Sequence, residues 1–202
     1  RGGAIYCVDS DPVISNTLIA NNACMGGYPQ GGGICCQGDS AMQINSCTIV
    51  NNAPGGIFSA SSYWTEVTNS IVWGNGGYQI QSYQSVAAVS FSDVQDGYPG
   101  QGNMETDPCF FDPSGGAGPD YDGLAANWAL QSDSPCINVG TDMGLMDADL
   151  AGNARVYSDC VDLGAYENQS DLPLLTTDPA GAVDTGAVPL AGRETTMLEI
   201  TN

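Results

Sequence analysis

The sequence has almost no positive charge. It contains no histidine and only three basic residues, all arginine, against 23 acidic residues, which gives a formal net charge of −20. A chain with so few cations cannot neutralise phosphate groups, so the composition excludes nucleic acid as a partner and argues against docking on anionic lipid. The same balance favours solubility and the binding of hard cations such as calcium, which prefer carboxylate and carbonyl oxygens.

Long apolar runs and helical periodicity are also absent. No segment reaches the roughly 20 apolar residues that a membrane-spanning helix needs, so we expect no membrane insertion. The eight cysteines include no pair with C-x-x-C spacing and the chain offers no histidine, which argues against a zinc site. They indicate instead disulfides formed in an oxidising compartment, and hence an extracellular or cell-surface location.

The chain does contain an internal repeat. Residues 2–5 and 32–34 open two similar stretches, 55–57 open a third, and 79–81 open a fainter fourth. The isoleucines of the last three copies are 23 residues apart, whereas the first step is 29 residues and fits a loop insertion at 24–30. Short strands rich in Ile, Val and Thr, interrupted by Gly and Asn, predict the coils of a β-solenoid.

Stacking of such coils explains why similar residues recur at matching positions of the repeat. Successive coils lie about 4.8 Å apart as parallel strands, so matching positions form ladders. Asn22, Asn52 and Asn75 recur at the bends, where asparagine tolerates left-handed backbone angles and bonds along a stack. We expect three inward aliphatic ladders: Ile5, Ile34, Ile57 and Ile80; Ile14, Ile44, Val67 and Val89; and Ile19, Ile49, Val72 and Val94.

The composition divides the chain into three parts. Residues 1–96 form the coils, 97–167 are rich in Gly, Pro and Asp and predict a loop-rich closing module that continues the solenoid, and 168–202 form an extended tail. The tail ends in a strand that we expect to pair with a neighbouring subunit. The alternatives are a tail folded back on its own solenoid and a linker to an anchor. The expected assembly residues are Thr195, Met197, Leu198 and Ile200.

Taken together, the motifs resemble bacterial secreted right-handed parallel β-helix repeat proteins. The resemblance rests on residues 45–52 (NSCTIVNN) and 69–75 (NSIVWGN) in the coils, and on 134–140 (SPCINVG) and 161–167 (VDLGAYE) in the closing module. It implies an all-β fold, a right-handed parallel β-helix (β-solenoid) with a loop-rich C-terminal closing module and an extended tail. Most members have no assigned activity, so the resemblance implies a fold more than a function.

The cysteine positions predict two disulfides. Cys7 and Cys36 occupy the same place in successive coils, and their spacing suits a bridge. Cys109 and Cys136 flank the loop-rich segment, with Cys160 as the alternative partner of Cys136. The sequence leaves the pairing of the other cysteines open.

Two acidic clusters predict calcium as a cofactor. Asp147 and Asp149, followed by Gly152, resemble the start of an oxygen-donor loop, and Asp120 and Asp122 form a second cluster. The alternative is that all four are exposed acids of ordinary loops.

Catalytic residues are scarce. Lyases built on solenoids of this hand generally abstract a proton with Arg, Lys or His, and we expect Arg155 to form an ion pair with nearby aspartates instead. A hydrolase needs two carboxylates at a set separation, and the candidates Asp93 and Asp96 lie among turns. We therefore expect no enzyme.

The sequence predicts an extracellular structural protein, a self-assembling filament or surface-layer subunit joined head-to-tail through its C-terminal tail. The first alternative is an adhesive module that binds extracellular polysaccharide by stacking sugars on Trp64, Trp73 and Trp128. The second is a calcium-dependent polysaccharide lyase. The expected partners are copies of this chain and extracellular polysaccharide.

Overall fold

The computed structural model describes residues 2–24, 31–61, 63–142, 144, 146–157 and 160–169. The chain up to Gln169 forms one compact unit. The predicted assembly residues all lie outside the described residues, and these are Thr195, Met197, Leu198 and Ile200.

The described part of the chain is built from short β-strands joined by bends and turns, because Gly, Asn and Ser interrupt every apolar run after a few residues. In chain order the strands are β1 (Ile5–Val8), β2 (Val13–Ser15), β3 (Leu18–Ala20), β4 (Ile34–Gln37), β5 (Ala41–Asn45), β6 (Thr48–Val50), β7 (Gly55–Ala60), β8 (Trp64–Thr68), β9 (Ile71–Trp73), β10 (Tyr78–Tyr83), β11 (Ala87–Ser90), β12 (Asp93–Val94), β13 (Phe110–Asp112) and β14 (Asn127–Leu130).

The first twelve strands form three parallel sheets of four strands each. The first sheet has the order β1-β4-β7-β10, the second β2-β5-β8-β11, and the third β3-β6-β9-β12. Each coil therefore contributes one strand to every sheet and then returns one strand further along the axis. This arrangement is a parallel β-helix of four coils, which confirms the predicted fold class.

The register confirms all three predicted aliphatic ladders. Ile34 pairs with Ile5 on one side and Ile57 on the other, and Ile57 pairs in turn with Ile80. The second and third ladders are aligned in the same way, coil upon coil. Ile34 and Ile57, in the middle of the stack, have no solvent-exposed area. One coil cannot bury its own inner face, so the core exists only because neighbouring coils cover each other.

A polar ladder crosses the bend between the third and first sheets. The Asn52 side chain accepts bonds from Asn22 N (2.9 Å) and Asn22 Nδ2 (3.0 Å), and its Nδ2 donates to Asn75 Oδ1 (3.0 Å) and Ile19 O (2.8 Å). The predicted bonding along the stack is thus confirmed. The left-handed backbone angles occur one residue earlier, at Asn21, Asn51 and Gly74. At each bend, therefore, one residue adopts the left-handed backbone conformation and the next residue forms the hydrogen bonds along the stack.

The prediction that residues 97–167 continue the solenoid needs correction. In the described part of this segment, the stack is extended by Met104, through a parallel bridge to Asp93, and by Gln101, whose backbone oxygen accepts from Phe91 N (2.8 Å). The chain then leaves the axis, and β13 pairs with β14 in an antiparallel hairpin. The physical reason is that the outward side chains of the third sheet are apolar and need cover. They pack in a second core with the closing module, composed of Val50, Ile71, Phe110, Trp128, Leu130, Cys136 and Leu163.

Side-chain amides at the bend between the second and third sheets hold the closing module in place. Asn45 Nδ2 donates to Gly144 O (2.8 Å). Asn69 Nδ2 donates to Thr141 O and its Oδ1 accepts from Thr141 N, both at 2.8 Å. The module thus runs across consecutive coils and ties them together from the side.

Replacing Asn52 by alanine should destabilise the fold strongly. The change removes the acceptor of Asn22 N and the side-chain donor to Ile19 O, and we expect the free energy of unfolding to fall by about 3 kcal/mol. Urea denaturation measures the loss. Asn127→Ala, at an exposed asparagine, is the matched control and should cost less than about 1 kcal/mol. Equal losses in the two variants would contradict a stabilising role for the polar ladder.

Candidate functional site

The end of the last coil exposes backbone edges. Among the described strands, β10 pairs only with β7 and β11 only with β8, but Val89 O of β11 accepts from Asn103 Nδ2 (3.0 Å) and Gly100 lies against it. The third sheet is better covered, because Val94 N donates to Met104 O (3.0 Å) and Tyr98 packs against the inner core. Tyr83 and Val86, at the rim beside the open edges, are 62% and 66% exposed. Unpaired strand edges of this kind accept further strands.

The closing module surrounds a buried arginine with acids. Arg155 is 1% exposed, and its Nη2 donates to the backbone oxygens of Asp162 (3.1 Å) and Gly164 (2.6 Å). Burial lowers the pKa of Arg155, and the carboxylates of Glu167, Asp162 and Asp149 act against that shift. Sequence reasoning missed Glu167, although it closes the motif at 161–167. The guanidinium of this arginine is thus enclosed within the closing module.

The predicted calcium ligands do not form a donor set. Asp149 Oδ1 accepts from Asn153 N (2.7 Å), and its Oδ2 accepts from Glu167 N (2.9 Å). Asp122 Oδ1 accepts from two backbone amides of its own turn, while Asp120 and Asp147 are exposed. The described residues contain no group of three acidic or cysteine side chains able to hold a metal ion. The structure therefore does not favour these residues as a calcium site, and calcium stays a prediction.

The predicted disulfides are not formed. Cys7 and Cys36 are aligned as expected, yet no disulfide joins any of the eight cysteines. The reason is that in-register neighbours point the same way, which leaves their Cβ atoms about 4.8 Å apart, beyond the 3.5–4.5 Å that a bridge needs. Cys109 and Cys136 are also unbridged, and so is the alternative pair Cys136–Cys160. The extracellular or cell-surface location that was inferred from disulfides therefore loses their support.

Cys136 instead contacts an aspartate beneath the closing module. Its Sγ lies 3.2 Å from Asp93 Oδ2, and Asp93 Oδ1 accepts from Thr106 N (3.1 Å). Burial raises the pKa of Asp93 to about 6, and burial together with Asp93 raises the pKa of the Cys136 thiol. Asp96, the other acid considered for hydrolysis, is exposed. The two aspartates therefore do not flank a common groove.

A cleft of about 410 Å³ lies between the third sheet and the hairpin β13–β14. Trp73, at the end of β9, lines it from the solenoid side, and the buried Trp128 lines it from the hairpin. Trp128 is fixed by a bond from its Nε1 to Gly123 O (2.9 Å) and by an edge-to-face contact with Phe110, with ring centroids 5.2 Å apart. Trp64 lies on the second sheet, so two of the three predicted tryptophans share a site.

The comparison with protein families decides the hand of the helix. Residues 1–95 match the family model described as a right-handed β-helix region. The coils are a right-handed parallel β-helix. The match ends where the described coils end and does not extend into the closing module. No curated protein and no solved structure matches the chain. In the described part, no helix has the length and apolar character needed to cross a membrane.

The buried acids make the stability of this β-helix depend on pH. The folded-state pKa is raised to about 6 for Asp93 and about 7 for Glu167, in both cases mainly by burial. Because the folded state holds these protons more tightly, their stabilisation is complete below the ordinary values of 3.8 and 4.5 and is lost as pH rises through about 6 and 7. We therefore expect the free energy of unfolding to fall between pH 5 and pH 8.

Two neutral variants test this dependence. Asp93→Asn and Glu167→Gln should each reduce the fall by about 1 kcal/mol, whereas Asp120→Asn, at an exposed aspartate, should leave it unchanged. Urea denaturation at the two pH values measures the difference. A fall that is the same in all four proteins would contradict the role of the buried acids.

Proposed function

We propose that the protein is an extracellular structural subunit that assembles end to end through its β-helix. The observation that supports this most is the edge of β10 at the end of the last coil, which among the described strands pairs with β7 alone. A strand added beside β10 gains main-chain hydrogen bonds along the first sheet. The extracellular location is part of the proposal and does not depend on disulfides.

The first coil of a second copy is a suitable occupant of that edge. With its β1 beside β10, Ile5 of the second copy would follow Ile80 in the first ladder. Ile5 and Ile80 are only partly buried, unlike the isoleucines between them. End-to-end contact would therefore bury apolar area by the same stacking that forms the core.

The tail offers a second way to join the subunits. Its predicted strand, which includes Met197 and Ile200, would add along a neighbouring subunit as an extra strand. Either way, two subunits with a formal charge of −20 repel each other. Assembly should therefore strengthen as salt screens that repulsion.

Little in the described grooves supports the lyase alternative. A groove along the second sheet is lined by Gln43, Asn45, Glu66 and Thr68, with no basic side chain among its described lining residues. The basic residue that the structure describes is Arg155, which is buried. A non-catalytic role is therefore part of the proposal.

Blocking the rim of the last coil should prevent assembly. Val86→Lys places a charged side chain at the rim of the last coil, between β10 and β11, and we expect the oligomers formed by the full chain at 0.5 M salt to decrease by about tenfold. Val156→Lys makes the same change at a 48% exposed valine of the closing module and serves as the control. Sedimentation velocity and electron microscopy give the size distributions.

Removal of residues 170–202 separates the two ways of joining. If the first coil occupies the edge, the truncated chain should still assemble and still respond to Val86→Lys. If the tail occupies it, truncation alone should abolish assembly. Monomers at every salt concentration, for both the full and the truncated chain, would refute the proposal.

A further inference from the structure

The cleft between the third sheet and the hairpin has one aromatic face available to a ligand. Because Val72 points into the core, its neighbour Trp73 points outward, next to Val50 on the adjacent strand. Trp73 is partly exposed, whereas Trp128 across the cleft is buried and already bonded. A planar ring held beside a rigid wall in this way suits the flat apolar face of a pyranose ring.

Polar groups around Trp73 are held by the fold and keep capacity for a ligand. Gln131 donates from Nε2 to Phe110 O (2.9 Å), which fixes the amide and leaves Oε1 as an acceptor. Asp107 Oδ1 caps Cys109 N (3.0 Å), and the exposed carboxylate retains its second oxygen. Asn51 Nδ2 donates hydrogen bonds to the backbone oxygen and the Oγ of Ser114, and these bonds fix the floor of the cleft. Hydroxyl donors of a ligand would find prepared acceptors here.

The floor of the cleft must be rigid to hold a ligand against Trp73, and one glycine explains why the backbone there is closely packed. Gly74 follows Trp73 with φ of 67°, and a Cβ at this position would lie 2.1 Å from Asn51 Oδ1. The absence of a side chain therefore lets the Asn51 amide approach the backbone beside Trp73.

The charge of the cleft determines which saccharides it suits. Its described lining includes the carboxylate of Asp107 and no basic residue. Arg155, the basic residue in the part of the chain that the structure describes, is buried in the closing module. An anionic sugar such as a uronate would be repelled without a cation to pair with it.

We propose that this cleft is a binding site for a neutral saccharide unit, which stacks on Trp73 and donates hydroxyl hydrogen bonds to Gln131 and Asp107. The site lies on the outward face of the third sheet, whereas the proposed assembly edge is β10 of the first sheet. Saccharide binding and end-to-end assembly are therefore independent properties, and either can fail without the other.

Titration of the full chain with neutral and charged tetrasaccharides tests the proposal. The probes are the tetramers of cellulose, amylose, xylan and chitin, with tetragalacturonate as the anionic counterpart, and binding is followed by tryptophan fluorescence and calorimetry. We expect at least one neutral probe to bind and tetragalacturonate not to bind at about 10 mM. Trp73→Ala and Gln131→Ala should each weaken neutral binding by about tenfold or more, because each removes one direct contact.

Two further variants separate a binding defect from a folding defect. Trp73→Phe keeps an aromatic face and should retain most of the affinity, and Tyr63→Ala removes a 70% exposed aromatic residue outside the cleft and should change nothing. Thermal unfolding confirms that each variant is folded. The proposal is overturned if no neutral probe binds, if tetragalacturonate binds as well as the neutral probes, or if folded Trp73→Ala and Gln131→Ala bind like the unmodified chain.

Discussion

In-register stacking of parallel coils is the constraint on which the rest of this structure depends. Because each residue lies about 4.8 Å above its equivalent, every position must tolerate a copy of its own chemistry directly above and below. Aliphatic side chains satisfy this inside the core, as at Ile34 and Ile57. Asparagine satisfies it at a bend, since the amide of Asn52 both donates and accepts along the stack. Cysteine tolerates it too, but in-register geometry keeps the thiols of Cys7 and Cys36 from forming a bridge.

The closing module follows from what the coils leave uncovered. Inward side chains of the third sheet complete the core, but Val50 and Ile71 point outward and are apolar. The hairpin and the segment around Leu163 bury them, and Asn45 and Asn69 anchor the covering chain. One consequence of this covering is the cleft beside Trp73, where the sheet and the hairpin do not fully meet. Another is that the chain leaves the axis after Met104, having covered Val89 of β11 through Asn103 but added no described strand beside β10.

The coils could be predicted from the sequence because, in a solenoid, the spacing of the sequence repeat determines which residues pair between neighbouring coils. Once Ile34, Ile57 and Ile80 were seen at a constant spacing, the ladders and the parallel sheets followed. The closing module could not be predicted in this way, since no repeat relates Phe110 or Leu163 to the strands that they cover. The acids near Arg155 were likewise recognised only in part, because distance in the sequence says little about which carboxylate meets a buried cation.

Proton–proton nuclear Overhauser effects between side chains of consecutive coils test the central constraint most directly. In-register stacking predicts methyl contacts from Ile34 to Ile57, from Ile57 to Ile80, and from Ile49 to Val72, with none between Ile34 and Ile80, which lie two coils apart. A shifted register, in which Ile57 contacts the sequence neighbours of Ile34 and Ile80 instead of these two residues, would contradict in-register stacking. Contacts typical of antiparallel strands would contradict it as well.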